Sequence, residues 1–301
     1  MSHVERTKPV SFQSEGVTLR GQLHLPPRVP SSSRQLSGIV VTGSWTTVKE
    51  QMAGLYARRL ADQGFVALTF DFRFWGQSDG APREYESPES KIIDIKSAVS
   101  FLSNSVEVDP QRVGGMAVCA SSQYMACAAA EDRRIKSFVA VAPWIHDADI
   151  VRAVYGGEEG VRSKIDSGNK AKDLYTRTGI AEYVPACSAS DPNAAMFGEF
   201  DYYLDDKRGA IPQWTNRYAV MSWSEWLNFD SMPAAKHLTI PVLFVHSGAA
   251  IPDGAKRFYA NINSSNKRFV WLIGDQFDFY DREPNVSKSV AEATKHFNDT
   301  L

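Results

Sequence analysis

The stretch Gly115-Met116-Ala117-Val118-Cys119-Ala120-Ser121-Ser122 is an apolar run that breaks into small residues and continues as the helix-like QYMACAAA. A sharp strand-to-helix turn can hold a nucleophile in strained backbone geometry, provided the neighbours two before and two after it are small. Here they are Ala117 and Ser121. Such a turn lifts the Cys119 side chain above the sheet. It also aims the Ala120 N–H and the N-terminus of the next helix at the same point, which lowers a thiol pKa from about 8.5 and stabilises an oxyanion. The competing reading is a buried structural cysteine. Cys127, six residues into the helix, fits that description, whereas the position of Cys119 favours the nucleophile.

The elements around this turn must position it. VSFQS and VTLRGQLHL alternate about Glu15-Gly16 and read as a β-hairpin, followed by a loop over 26–37. GIVVTG, FVALTFDF, RVGGMAV, SFVAVAPW, IPVLFVHS and KRFVWLIG read as strands. Helical spacing covers 50–63, 90–104, 121–130 and 286–297. Strands alternating with helices imply a mainly parallel sheet flanked by helices, with ligands at the carboxyl ends of the strands. Between Ile145 and Asp230 the alternation stops, and nine aromatics fall within residues 197–229. That density suits either an inserted helical core of its own or a cap lining an apolar pocket.

Composition narrows the function classes. The chain has 301 residues and a formal net charge of -2, with basic residues scattered, so it sets up no field for nucleic acid or anionic membrane. The polar start MSHVERTKPVSF does not read as a signal peptide, and no apolar run is long enough to span a bilayer. Three cysteines without a CxxC pair suit reduced thiols in the cytoplasm. No P-loop, GxGxxG turn, HExxH or histidine pair with metal spacing occurs, so neither cofactor nor metal is expected.

In order and spacing, TGSWTTVKEQ, DFRFWGQSDG and GMAVCASS resemble the α/β-hydrolase superfamily. More narrowly they are similar to its dienelactone-hydrolase-like and fungal polyketide-transferase-like branches. The resemblance implies an α/β-hydrolase fold; the halt in alternation divides it into a core over 1–144 and 231–301 and an inserted, largely helical cap over 145–230. It implies that Gly43-Ser44-Trp45 forms the oxyanion loop, with the Ser44 N–H beside that of Ala120. It also implies that Asp71-x-Arg73-x-x-Gly76-x-Ser78 is a structural turn. The cysteine in place of serine is like dienelactone hydrolase. Trp45, Trp144, Tyr202 and Trp223 are expected to bind substrate.

The pattern departs from the family at the third catalytic position. The phrase Gly274-Asp275-Gln276-Phe277-Asp278-Phe279-Tyr280-Asp281 carries Gln276 where the family has histidine, and no carboxylate stands at 250–252. Three accounts follow. His146, after APWI and before Asp147 and Asp149, could substitute as base. Alternatively Cys119 works without a histidine, because a thiol needs less base assistance than an alcohol, and Gln276 donates a hydrogen bond. Or the scaffold serves a lyase, cyclase or isomerase, or only binds a small molecule. The expected partner is an apolar or polyketide-like small molecule, with a homodimer left open, and the expected activity is acyl hydrolysis or transfer.

Overall fold

The computed structural model describes residues 6–27 and 35–301; His3 and most of the loop expected over 26–37 lie outside them. β1 (Thr7–Ser14) and β2 (Val17–His24) form the expected hairpin, and Glu15 and Gly16 both take positive φ in its two-residue turn. The chain then alternates through β3 (Leu36–Thr42), α1 (Met52–Asp62), β4 (Val66–Phe70), α2 (Pro88–Ser103), β5 (Val108–Val118), α3 (Ser121–Glu131) and β6 (Ile135–Val141). Helix α2 starts earlier than its apolar spacing suggests, because Ser87 caps the Ser90 amide and Pro88 takes the first turn, where its missing N–H costs nothing.

After β6 the chain leaves the sheet. It runs through α4 (Ala148–Val154), α5 (Gly157–Thr178), β7 (Tyr183–Pro185), β8 (Cys187–Ser188), β9 (Met196–Phe197), α6 (Asp201–Leu204), β10 (Arg217–Ala219), α7 (Ser222–Asn228) and a 3₁₀ turn at Met232–His237. Two small ladders, β7 with β10 and β8 with β9, accompany helices where sequence spacing suggested helices alone. The sheet resumes with β11 (Val242–Ser247), α8 (Asp253–Asn261), β12 (Lys267–Leu272), α9 (Asp278–Asp281) and α10 (Asn285–Thr300).

The eight strands lie in the order β1-β2-β4-β3-β5-β6-β11-β12. β2 pairs antiparallel with both β1 and β4, and the remaining neighbours pair parallel. Helices cover both faces, and consecutive glycines on β5 reveal how closely. A Cβ on Gly114 would lie 3.0 Å from Phe297 of α10, and one on Gly115 would lie 2.5 Å from the Met125 sulfur of α3. Side chains alternate across a strand, so these two absent side chains admit one helix on each face. The central strands are accordingly buried almost throughout, as in a doubly covered parallel sheet.

The parallel strands point their carboxyl ends at one region, and a network after β4 fixes the loop after β3 there. The Asp71 carboxylate accepts from the Lys49 amide (2.8 Å), the Lys49 ammonium (2.7 Å) and the Gln77 amide (2.8 Å). Ser78 Oγ donates to the Asp71 carbonyl and accepts from the Arg20 amide. Gly76 closes this turn with φ 51°, and a Cβ there would sit 2.3 Å from the Asp71 carboxylate. Gly76→Ala should therefore destabilise the fold by about 2–4 kcal/mol, from left-handed strain plus the clash. Urea unfolding measures it; a loss below about 0.5 kcal/mol, typical of an inconsequential surface change, would show that the turn relaxes freely.

Candidate active site

Cys119 has φ 58°, in the left-handed region that a cysteine seldom adopts. The conformation is clamped on both sides. The Cys119 amide donates to the Val141 carbonyl (3.0 Å), and its carbonyl accepts from the Trp144 amide (3.1 Å) and the Ser122 amide (3.1 Å). Small neighbours let the strand and helix close up: Ser121 Oγ accepts from Thr42 (2.9 Å), and Ser122 Oγ donates to the Ala117 carbonyl. The result is a sulfur held at the strand end, in a residue only 7% exposed.

The groups near that sulfur that oppose the effect of burial on its thiol are the Ala120 and Trp45 amides and the Ser44 and Tyr280 hydroxyls. The second amide is not the one the family resemblance implies. The Ser44 N–H is turned to the Met52 sulfur (3.4 Å), and it is Trp45 whose N–H faces Cys119. The loop explains the rotation: Thr47 Oγ1 closes onto the Ser44 carbonyl (2.6 Å), and Thr46 takes φ 62°. Ser44 contributes its hydroxyl instead, 2.9 Å from the Tyr280 hydroxyl and accepting from Tyr203 at 3.1 Å. Gln276 Nε2 donates to the Ala142 carbonyl (2.8 Å) and reaches Tyr280 at 3.4 Å, so it stands one residue removed from the sulfur.

Burial pushes the Cys119 thiol above its ordinary pKa, against the opposing pull of the hydroxyls and amides around it. Burial likewise raises Tyr280 and Tyr203. At neutral pH the cluster is an uncharged thiol among uncharged hydroxyls.

His146 does not join it. The ring is fully buried: Nδ1 accepts from the Trp144 indole (3.0 Å), and Nε2 bonds the Trp226 carbonyl (3.1 Å), which requires the proton on Nε2. Burial lowers its pKa to about 4. Both nitrogens are committed to tying the loop after β6 to α7. Of the two carboxylates that follow His146, Asp147 caps α4 and pairs with Arg257, and Asp149 pairs with Arg152. Of the other described histidines, His24, His246 and His296 are buried and likewise lowered to about 4, and His237 is exposed.

The expected substrate-binding aromatics are close-packed. Trp45 stacks on Trp226 (4.7 Å between centroids) and meets Tyr218 and Trp223 edge-on or tilted. Trp45, Trp223 and Tyr202 are all nearly inaccessible. Trp144 is half-buried, with its indole N–H spent on His146. The Tyr202 hydroxyl accepts from the Met52 amide at the start of α1, and it is the adjacent Tyr203 that turns to Ser44. The open apolar chamber expected over Cys119 is thus filled by rings, while two surface grooves run elsewhere, one by Phe12, Phe101 and Val106 and one along α5.

Tyr203, Tyr280 and the Trp45 amide were not singled out by sequence. The available signal was the spacing of Gln276 and Tyr280, four residues apart, which places both on one face of a helical turn.

No protein-family model matches the chain. It is 33% identical over 272 residues to the polyketide transferase claH of Penicillium crustosum, covering 86% of each chain. A shorter match, 31% over 131 residues, covers 44% of this chain and 39% of the thiohydrolase aneE of Aspergillus aculeatus. Among solved structures, the hypothetical protein PA2218 of Pseudomonas aeruginosa superposes with a TM-score of 0.87 at 24% identity, over 100% of this chain and 96% of that one. The α/β hydrolase GrgF of Penicillium sp. sh18 superposes at 0.81 with 18% identity, over 98% and 99%.

The His146 geometry has a pH signature. The unfolded chain takes up this proton near pH 6.5 and the folded one only near 4, so stability is complete above 6.5 and declines as pH falls toward 4. His146→Gln can keep both bonds, carbonyl to Trp144 and amide to Trp226, without titrating. Urea midpoints should therefore fall less steeply in this variant, by roughly one proton's worth, about 1.4 kcal/mol per pH unit within that window. An unchanged slope would mean that the fold does not hold the ring neutral.

Proposed function

The chain belongs to the polyketide-transferase-like branch of the α/β-hydrolases and is an enzyme of the hydrolase and acyltransferase type, and on that premise we propose that it transfers acyl groups through Cys119. The observation that carries this is the left-handed bend at Cys119, clamped at the end of β5 by three main-chain hydrogen bonds, with the Ala120 and Trp45 amides near its sulfur. A carbonyl attacked by that sulfur would develop its negative oxygen beside the same donors, where preorganised N–H groups stabilise it most. The helix α3 begins at Ser121, two residues after Cys119, and adds its positive end.

The chemistry of the surroundings supports an activated acyl donor. A thiol raised by burial, with none of the described imidazoles bonded to its cluster, suits a thioester better than an unactivated ester, because a thioester needs less push from a base. The closed aromatic wall favours an apolar or polyketide-like acyl chain, and water enters such a site sparingly, which favours transfer to an acceptor over hydrolysis. The insertion acts as the cap: Trp214 donates its indole to the Thr46 carbonyl (2.7 Å), Gln51 donates to the Gly209 carbonyl (2.6 Å), and the Ala219 amide bonds the Glu84 carbonyl (2.9 Å). Substrate entry requires the rings over Cys119 to part, so the cap is the element whose movement admits it.

Intact mass after incubation with a hexanoyl N-acetylcysteamine thioester tests the reading. One acyl group is expected on Cys119 and none on Cys127 or Cys187. Cys119→Ala should lower turnover by at least about 100-fold, as loss of a covalent nucleophile does. Full turnover in that variant would remove Cys119 from the chemistry.

A further inference from the structure

The two hydroxyls beside the sulfur are each held by an outer donor. Gln276 Nε2 lies 2.8 Å from the Ala142 carbonyl, a group that only accepts, and this fixes which end of the amide is nitrogen. The same nitrogen, 3.4 Å from the Tyr280 oxygen, can only donate to it. Tyr280 is thereby an acceptor on its outer side, and its own proton is free for Ser44 or for Cys119. Tyr203 donates to Ser44 in the same way, leaving the Ser44 proton to point inward. One of these two protons lies in the Ser44–Tyr280 hydrogen bond, and the other is available to the sulfur or to a group leaving from it.

We propose that Tyr280 is the proton-transfer partner of Cys119, with Ser44 as its relay and Gln276 and Tyr203 as positioning residues, a role that rests on Cys119 being the nucleophile. In the step, the Cys119 sulfur bonds the thioester carbonyl carbon while its proton passes to the Tyr280 oxygen. The phenolic proton passes at once to the departing sulfur, directly or through Ser44 Oγ. When the carbon–sulfur bond to the leaving group breaks, the products are an acyl-Cys119, a free thiol and a neutral tyrosine. No charged tyrosine forms, which suits a phenol buried among uncharged neighbours. The titratable groups that face the pair are themselves phenols: Tyr203 and Tyr202 from α6 and Tyr155 after α4. The Arg208–Asp281 ion pair packs on Tyr202.

This arrangement gives Gln276 a purpose that proton transfer by a glutamine could not. It orients a phenol, and the phenol moves the proton. Tyr280 lies in α9, four residues after Gln276, its ring against Tyr202, Tyr203 and Phe277, so its hydroxyl is held in place.

The test is the pH dependence of Cys119 alkylation by iodoacetamide, followed by intact mass, alongside acylation by the hexanoyl N-acetylcysteamine thioester. Tyr280→Phe removes a donor to the thiolate, so the alkylation midpoint should rise by about one pH unit. Acylation should slow by about 100-fold, the low end of general acid–base effects. Gln276→Leu, at a half-buried position, should move both readouts the same way by less, and it keeps the test decisive if Tyr280→Phe fails to fold. An unmoved midpoint with normal acylation in either folded variant overturns the pairing and leaves Cys119 as nucleophile. A Tyr280-dependent midpoint in a protein that takes up no acyl group supports the pairing and removes the thioester reading. A wild-type Cys119 that neither alkylates nor acylates at any pH overturns both.

Discussion

The site hangs from one strained peptide bend. Cys119 holds a left-handed backbone that costs a non-glycine residue on the order of 1–3 kcal/mol, and it persists because its neighbours over-determine it. The amide is bonded to the end of β6, and the carbonyl to the loop beyond that strand and to the first turn of α3. Releasing the bend would break three main-chain hydrogen bonds at once. The strain is therefore stored where the parallel strands converge, and it does two things together. It raises the sulfur clear of the sheet, and it turns the following amide toward the same sulfur.

The second constraint is that the polar groups beside the sulfur, among the described residues, are uncharged ones. Thiol, serine and two phenols form a continuous set of exchangeable protons in a buried place. In water such groups would have little reason to cooperate. In a low-dielectric interior each hydrogen bond is stronger and each isolated charge is costly, so protons move between neutral groups more readily than charges separate. That physical setting, rather than any one residue, separates this site from one built on an imidazole and a carboxylate.

The insertion completes the enclosure. Its aromatics stack on Trp45, so the insertion and the loop after β3 form one packed unit. His146 belongs to that unit as a fastener, neutral, bridging the Trp144 indole and the Trp226 carbonyl. Any displacement of the insertion must therefore act on the same loop after β3.

Much of this was legible in the amino-acid order. Strand and helix alternation, the hairpin at Glu15-Gly16, the small residues flanking Cys119 and the Asp71 turn are local patterns, and local patterns are set by backbone sterics and side-chain periodicity within a few residues. The placement of Cys119 after β5 and the interruption by the segment after β6 follow from the same periodicity. What only the tertiary structure decided were orientations and partners across long separations. Ser44 and Trp45 are adjacent, yet the rotation of one peptide made Trp45 the donor and left Ser44 its hydroxyl. Tyr202 and Tyr203 are adjacent too, and only the second reaches Ser44. His146 sits beside carboxylates in sequence, but burial and two tryptophans settled its state. Tyr280 met Ser44 across 236 positions of chain. Spacing along a chain determines which element a residue joins; which way its hydrogen-bonding groups face is fixed only when other elements close around it, because unpaired buried polar groups are too costly to leave as they are.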